Sequence, residues 1–325
     1  MKTKTFLSSG HDPRVNLALE EMLTRQCEKE EYILYLWQND NTIVIGRNQN
    51  PHRECDLKKI EEDGVVLVRR QSGGGAVFHD LGNLNYTFIA HEKNYSQQMN
   101  FQIILDALKP FGLEGNFSGR NDLLIGERKF SGNAYSIYKN IRVHHGTLLL
   151  DVDLSRMADY LTVHPLKMKA KGVTSVKSRV VNLYELAPDM KLEELIASII
   201  ASFENTLGRG AKAEILEESS LEEFDYADKY FSWQWNIGET PNFSLELEQR
   251  FDWGLISLFL DLNKGKIKRA KIFTDALVNE DFPGLALALE GMEFKKEVLE
   301  NILSNKLNDK NIIRDLVEWL ALQGI

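Results

Sequence analysis

Residues 65–89, VVLVRRQSGGGAVFHDLGNLNYTFI, restrict the fold more than any other stretch of the chain. Residues 65–68 form an apolar run that reads as a buried strand. Arg69 and Arg70 leave its end, three glycines follow (Gly73, Gly74 and Gly75), and residues 84–89 carry a second strand signal. Consecutive glycines cost backbone entropy, so a run of them inside a core unit needs a reason. One reason is close approach of backbone N–H groups to a phosphate or carboxylate, with arginine nearby. The other is a wide turn between strands, where glycine is the usual residue. No Gly-Lys-Ser/Thr follows, which excludes a Walker A loop. A strand rather than a helix is predicted after the glycines, which excludes the dinucleotide fingerprint.

A chain of 325 residues is long enough for a large core and for two domains. Its 43% hydrophobic and 27% charged residues are those of an ordinary globular protein rather than a disordered one. A net charge of −9 argues against broad nucleic-acid binding. Two cysteines, Cys27 and Cys55, with no CxxC pair and no His/Cys cluster at zinc-ligand spacing, argue against a disulfide framework and fit a reducing cytoplasm. The opening residues carry no apolar signal-peptide core, and no run approaches the ~20 apolar residues of a membrane span, so no membrane association is expected.

Asp12-Pro13 predicts a helix start, with Asp at the N-cap and Pro in the first turn. Residues 32–37 and 42–45 read as a strand pair across Asn39-Asp40-Asn41. Residues 97–111 form an amphipathic helix. Lys129 opens a strand-like segment, and residues 141–150 form another strand that carries His144 and His145. Neighbours on a strand point to opposite faces, so at most one of these histidines faces a site. Residues 167–179 are a basic loop, read either as a solvated charge run or as a cover for a phosphate. Residues 217–228 are acidic and read as a solvated helix face. After an aromatic linker at 232–243, three strands and two helices predict a small α+β unit. A lysine on a rigid strand beside a glycine loop fits stabilisation of charge on an α-phosphate, as in acyl-adenylate formation. It equally fits a surface lysine.

The segments DPRVNLALEE, IVIGRNQNP, RRQSGGGAVFHDLGN, SGRNDLL, RKFSGNAY, HHGTLLLDVDLSRMADYL, KGVTSVKSRVVNL and KGKIKRAKIFTD occur in this order. Together they resemble the lipoate–protein ligases of the long, two-domain bacterial type, over nearly the whole chain. The resemblance implies an α+β fold: a mixed β-sheet catalytic domain of the biotin/lipoyl-ligase type flanked by helices (residues 1–243) and a small C-terminal α+β accessory domain (residues 244–325). It implies an enzyme that uses ATP and Mg²⁺ to convert lipoate to lipoyl-AMP, then passes the lipoyl group to a lysine of a carrier. The implied carriers are lipoyl domains of 2-oxoacid dehydrogenase complexes and the glycine-cleavage H protein. The implied oligomeric state is a monomer.

By the same resemblance Arg70, Gly75, Ala76, Val77 and Phe78 match the nucleotide-binding segment, and Lys129 matches the catalytic lysine that touches both lipoate carboxylate and α-phosphate. Ser72, Gly73, Gly74, His79 and His145 match positions at the lipoate pocket. Asn121 lies near that pocket, and Asp122 is the candidate for Mg²⁺. Trp37 and Leu17 are candidates for the apolar slot of the dithiolane. Gln71 departs from the family pattern, in which serine is common there. The rival on the same fold is an ATP-independent lipoyl or octanoyl transferase, which needs a nucleophilic cysteine at the pocket. Neither Cys27 nor Cys55 falls in the glycine, lysine or basic-loop segments. A catalytically silent binding module is disfavoured by the joint presence of Arg70, the glycines and Lys129.

Overall fold

The structure is a computed structural model and describes residues 1–118, 121–161, 180–208, 210, 212–238, 245–263 and 265–322. The basic loop at 167–179 lies outside the described residues.

Fourteen strands are described, in three sheets. The largest contains β1 (Lys2–Ser8), β2 (Glu31–Trp37), β6 (Asn83–His91), β7 (Asn116–Phe117), β8 (Asp122–Ile125), β9 (Arg128–Tyr138), β10 (Ile141–Leu149) and β11 (Glu214–Leu216). Their order is β11-β1-β2-β6-β10-β9-β8-β7. β1 runs parallel to both neighbours, and the remaining pairs are antiparallel. The sheet is therefore mixed, as expected. The helices Gln97–Leu108 and Leu192–Leu207 cover one face: Phe101 and Ile104 of the first, Leu195, Ile199 and Phe203 of the second, are buried in one cluster with Tyr32, Leu34, Tyr86 and Phe88. Ser198 and Ser202 donate to the Ala107 and Ile103 carbonyls and clip the two helices together.

The other face meets the helix Pro13–Gln26, whose N-cap Asp12 accepts from the Arg14 amide as predicted. Leu17, Leu19 and Met22 pack there with Tyr35, Trp37, Ile89 and Val143. The same cluster takes in Val44 and Val68 of a second, three-stranded sheet: β3 (Thr42–Ile45), β4 (Val66–Arg69) and β5 (Val77–His79), ordered β4-β3-β5. The expected strand pair 32–37/42–45 is thus corrected. β2 pairs with β1 and β6, whereas β3 pairs with β4 and β5. Both strands are buried along their whole length, so each demands cover on two faces, which a hairpin could not supply. The turn between them is itself buried at Asn39, where the Asn16 amide reaches the Asn39 side chain at 3.0 Å.

The acidic run 217–228 is also corrected. It holds only a short 3₁₀ turn, Glu218–Leu221, before the helix Asp228–Phe231. The C-terminal unit has β12 (Leu245–Phe251), β13 (Gly254–Asn263) and β14 (Lys266–Thr274), antiparallel in that order. Beyond the two expected helices, Lys296–Lys306 and Lys310–Ala321, it contains Phe282–Leu289, started by Asp281 and Pro283. These elements enclose their own core around Leu260, Phe282, Leu303 and Trp319. No helix among the described residues is long and apolar enough to cross a membrane.

Candidate functional site

Two arginines leave β4 side by side and brace two different loops. Arg69 donates to the carbonyls of Gly46, Arg47 and Gln49, and to those of Trp235 and Asn236. Arg70 donates through Nε to Ser72 Oγ at 2.9 Å, through Nη1 to the Val44 carbonyl, and through Nη2 to the carbonyls of Gly73 (2.7 Å) and Gly75 (2.9 Å). Arg70 is 6% exposed, and burial pushes its pKa down to about 10, with Glu20 opposing that shift. It stays a cation at neutral pH. In a trans peptide the carbonyl and the following N–H point opposite ways. With the Gly73 and Gly75 carbonyls turned to Arg70, the Gly74 and Ala76 N–H groups turn away from it. The guanidinium therefore shapes a loop that presents N–H groups outward, the arrangement an anion needs.

Three glycines are explained by what surrounds them. Gly74 has φ +93°, a left-handed conformation that disfavours side chains. A Cβ on Gly46 would overlap the Gly74 carbonyl oxygen. A Cβ on Gly73 would stand 2.5 Å from the carbonyl oxygen of Ala276, which belongs to the C-terminal unit. That unit sits on the loop, and its Thr274 amide donates to the Asn48 carbonyl at 2.6 Å.

His144 and His145 do face opposite sides. His144 is enclosed among Tyr86, Phe88, Phe101 and Tyr135, its ring nitrogens bonded to Asn100 and Asn133. His145 faces the glycine loop: its Nε2 lies 2.7 Å from Ser72 Oγ and its Nδ1 2.8 Å from Glu20 Oε1. Thr147 shares that face of β10, and its Oγ1 accepts from the Gly132 amide at 3.1 Å. The Lys129 amine lies over Gly132, 2.8 Å from where a Cβ would be. The loop and the lysine thus meet the same face of β10, two residues apart, at His145 and Thr147.

Lys129 is a third exposed at its side chain and pairs with Asp122 at 2.7 Å. Its carbonyl also accepts from the Val181 amide at 2.9 Å. Asp122 therefore stands beside the lysine, and no group of three His, Cys, Asp or Glu among the described residues is arranged to hold a metal. Asn121 accepts from Asn133 across the β8–β9 pair, which fixes the turn into the Asp122 strand. His79 is buried with Nδ1 at 3.3 Å from Asn39 Nδ2 and no partner at Nε2. Trp37 lies on the same face, with its indole N–H on Thr87 Oγ1, and Leu17 is fully buried in the helix above it. Phe78 stacks on Tyr160 in a cluster with Ile43, Ile45 and Ala76, and Val77 pairs with Val44.

Glu20 was not singled out in the sequence, although it is 4% exposed and contacts both Thr87 and His145. The available signal was an acid at helical spacing from Leu17 and Leu23, on an apolar face. Cys27 ends the first helix, and burial pushes its thiol up to about 11. Cys55 is buried in the cluster of Ile43, Ile45, Phe78 and Tyr160.

Residues 12–204 match the model of the lipoyl protein ligase A/B catalytic domain, and residues 240–320 match that of the bacterial lipoate protein ligase C-terminus. Plasmodium falciparum LipL1, solved in complex with lipoate, is 29% identical with a TM-score of 0.87, covering 98% of this chain and 99% of that one. A bipartite lipoate protein ligase from Thermoplasma acidophilum, solved in a study with its E2 lipoyl domain, is 27% identical with a TM-score of 0.65 over 75% of this chain and 100% of that one. A lipoate-protein ligase A bound with ATP is 26% identical with a TM-score of 0.64 over 73% and 99%. With its loop, lysine strand and appended unit all inside the matched residues, the chain belongs to the lipoyl protein ligase A/B family, as a lipoate-protein ligase with the bacterial C-terminal domain.

Proposed function

We propose that this ligase is ATP-dependent: it joins lipoate to ATP as lipoyl-AMP and transfers the lipoyl group to a lysine of a lipoyl carrier domain. The observation that carries the reading is the placement of the Lys129 amine and the Arg70-braced glycine loop on one face of β10. In the first step a lipoate carboxylate oxygen attacks the α-phosphorus and pyrophosphate leaves. Lys129 lies between the two anions, offsets their repulsion and stabilises charge on the α-phosphoryl oxygens. Arg70, Gly75, Ala76, Val77 and Phe78 hold the nucleotide, the arginine acting through the shape of the loop. Ser72, Gly73, Gly74, His79 and His145 line the lipoate side, with Trp37 and Leu17 at the dithiolane. In the second step the carrier ε-amine attacks the acyl carbonyl and AMP leaves.

Asp122 is a hard oxygen donor beside Lys129, and Mg²⁺ is commonly held by one or two carboxylates together with phosphate oxygens. When bound there, Mg²⁺ would neutralise charge on the phosphates. Neighbours solved with ATP, with lipoate and alongside an E2 lipoyl domain support the substrates and the class of partner. We assign lipoyl domains of 2-oxoacid dehydrogenase complexes and the glycine-cleavage H protein as carriers, a monomer as the working state and the cytoplasm as its place. We place the boundary between the units at 243/244.

A transferase that forms an acyl-cysteine needs an accessible thiolate. Cys27, raised to about 11, and the enclosed Cys55 do not supply one. The test is lipoate-dependent exchange of labelled pyrophosphate into ATP. Exchange by the wild type and its loss in Lys129→Ala, by at least about 100-fold for a group acting on the transition state, are expected. No exchange, with acyl transfer from an acylated carrier that disappears on replacing a cysteine, would install the transferase instead.

A further inference from the structure

A continuous buried chain of hydrogen bonds runs from the acyl end of the site to the glycine loop. Trp37 Nε1 donates to Thr87 Oγ1 at 3.0 Å, and Thr87 donates to Glu20 Oε1 at 2.7 Å. Glu20 Oε1 also meets His145 Nδ1 at 2.8 Å, His145 Nε2 meets Ser72 Oγ at 2.7 Å, and Ser72 Oγ accepts from Arg70 Nε at 2.9 Å. Ser72 Oγ stands between its two partners, accepting from Arg70 Nε and meeting His145 Nε2. Every link is 9% exposed or less, so water does not compete for these bonds.

We propose that Glu20 is a positioning residue for the nucleotide loop, acting through His145 and Ser72 on Arg70. The inference rests on the adenylation reading above and deepens it. Arg70 holds the Gly73 and Gly75 carbonyls, so turning the guanidinium turns the N–H groups of the loop. Glu20 is anchored at its other side by Thr87, whose hydroxyl also carries Trp37. The acyl end and the nucleotide loop therefore share one hydrogen-bonded chain. The Coulombic influence of Glu20 on Arg70 agrees with the same arrangement.

The experiment measures KM for ATP and for lipoate, and kcat, in pyrophosphate exchange. The variants are Glu20→Ala, Ser72→Ala, their double variant and Ser72→Thr. Wild-type exchange is measured first, and its absence would overturn the adenylation reading and this inference with it. With exchange present, Ser72→Ala and Glu20→Ala should each raise KM for ATP about tenfold, as expected for losing one charge-assisted hydrogen bond. The double variant should be no worse than the poorer single one, because the links act as a unit. Ser72→Thr, which keeps the hydroxyl, should raise KM for ATP less than Ser72→Ala does. A rise in KM for lipoate alone would overturn the proposal and make Glu20 and Ser72 plain lipoate contacts. Additive effects on KM for ATP would overturn it too. Should Glu20→Ala fail to fold, the contrast between Ser72→Ala and Ser72→Thr, with Glu20→Gln, decides the question by the same readout.

Discussion

His79 and His144 are both enclosed by the protein and both held neutral, and this makes stability depend on pH in a calculable direction. Burial comes first for each. Arg70 and His145 add to it at His79, His145 alone at His144, and both pKa values are pushed down to about 3. In the unfolded chain the same side chains take up a proton near 6.5. Between about pH 6.5 and 3 the unfolded state therefore binds more protons, and stability falls as pH drops. The loss should approach about 1.4 kcal/mol per pH unit for each histidine below pH 6. Urea unfolding from pH 7.5 to 5 checks this: the midpoint should move down across that range, and a flat profile would contradict it. Some residues of the site could be read from the chain and others could not. Arg70, the three glycines and Lys129 sit in short local runs that fit an anion site, a plain turn or a surface lysine alike, and it is the resemblance, not spacing, that singles them out. Glu20 owes its place to Thr87 and His145, far away in sequence, and its spacing from Leu17 and Leu23 marks an acid on an apolar face without saying what it meets. The Mg²⁺ expectation at Asp122 rested on one carboxylate, and the structure gives that carboxylate a lysine partner.

At the scale of elements, the loop after β3 and the glycine loop after β4 are packed backbone to backbone. The Arg47 amide donates to the Ser72 carbonyl at 2.9 Å, and the Gly46 amide donates to Gln49 Oε1 at 2.8 Å. Gly46→Ala would drive a methyl group into the Gly74 carbonyl. It should cost about 1–3 kcal/mol of stability, the usual penalty of overpacking, and weaken ATP binding in a titration. Gly10→Ala meets nothing within 4 Å and serves as the neutral comparison. Most elements were legible because their patterns are local, such as the Asp12-Pro13 start or the alternation of β9. The partition of β2 and β3 between two sheets was not. A short polar turn between two apolar runs is the signature of a hairpin, and only the burial of both strands on both faces rules one out. The three-residue β5 and the helix Phe282–Leu289 were missed as well, the first because three residues carry no period.

At the scale of the whole molecule, Gly73 is a glycine because of the other unit. No left-handed φ is needed there, but a Cβ would meet the Ala276 carbonyl oxygen. Gly73→Ala should therefore lower the melting temperature of the full chain by several degrees, as about 1–2 kcal/mol of overpacking would. It should leave a fragment of residues 1–243 unchanged, since that unit encloses its own cores. Equal losses in both would place the clash inside the catalytic unit. The division into two units was visible from the linker and the restart of strand patterning. Their meeting at the glycine loop was not, because no local pattern records what lies against a turn. That meeting binds the histories of the two units together. A relative that lost its C-terminal unit would be released from that one constraint on position 73. A chimera that borrowed a new unit would have to find the loop already bare, or reshape the turn at Ala276 before the halves could fit.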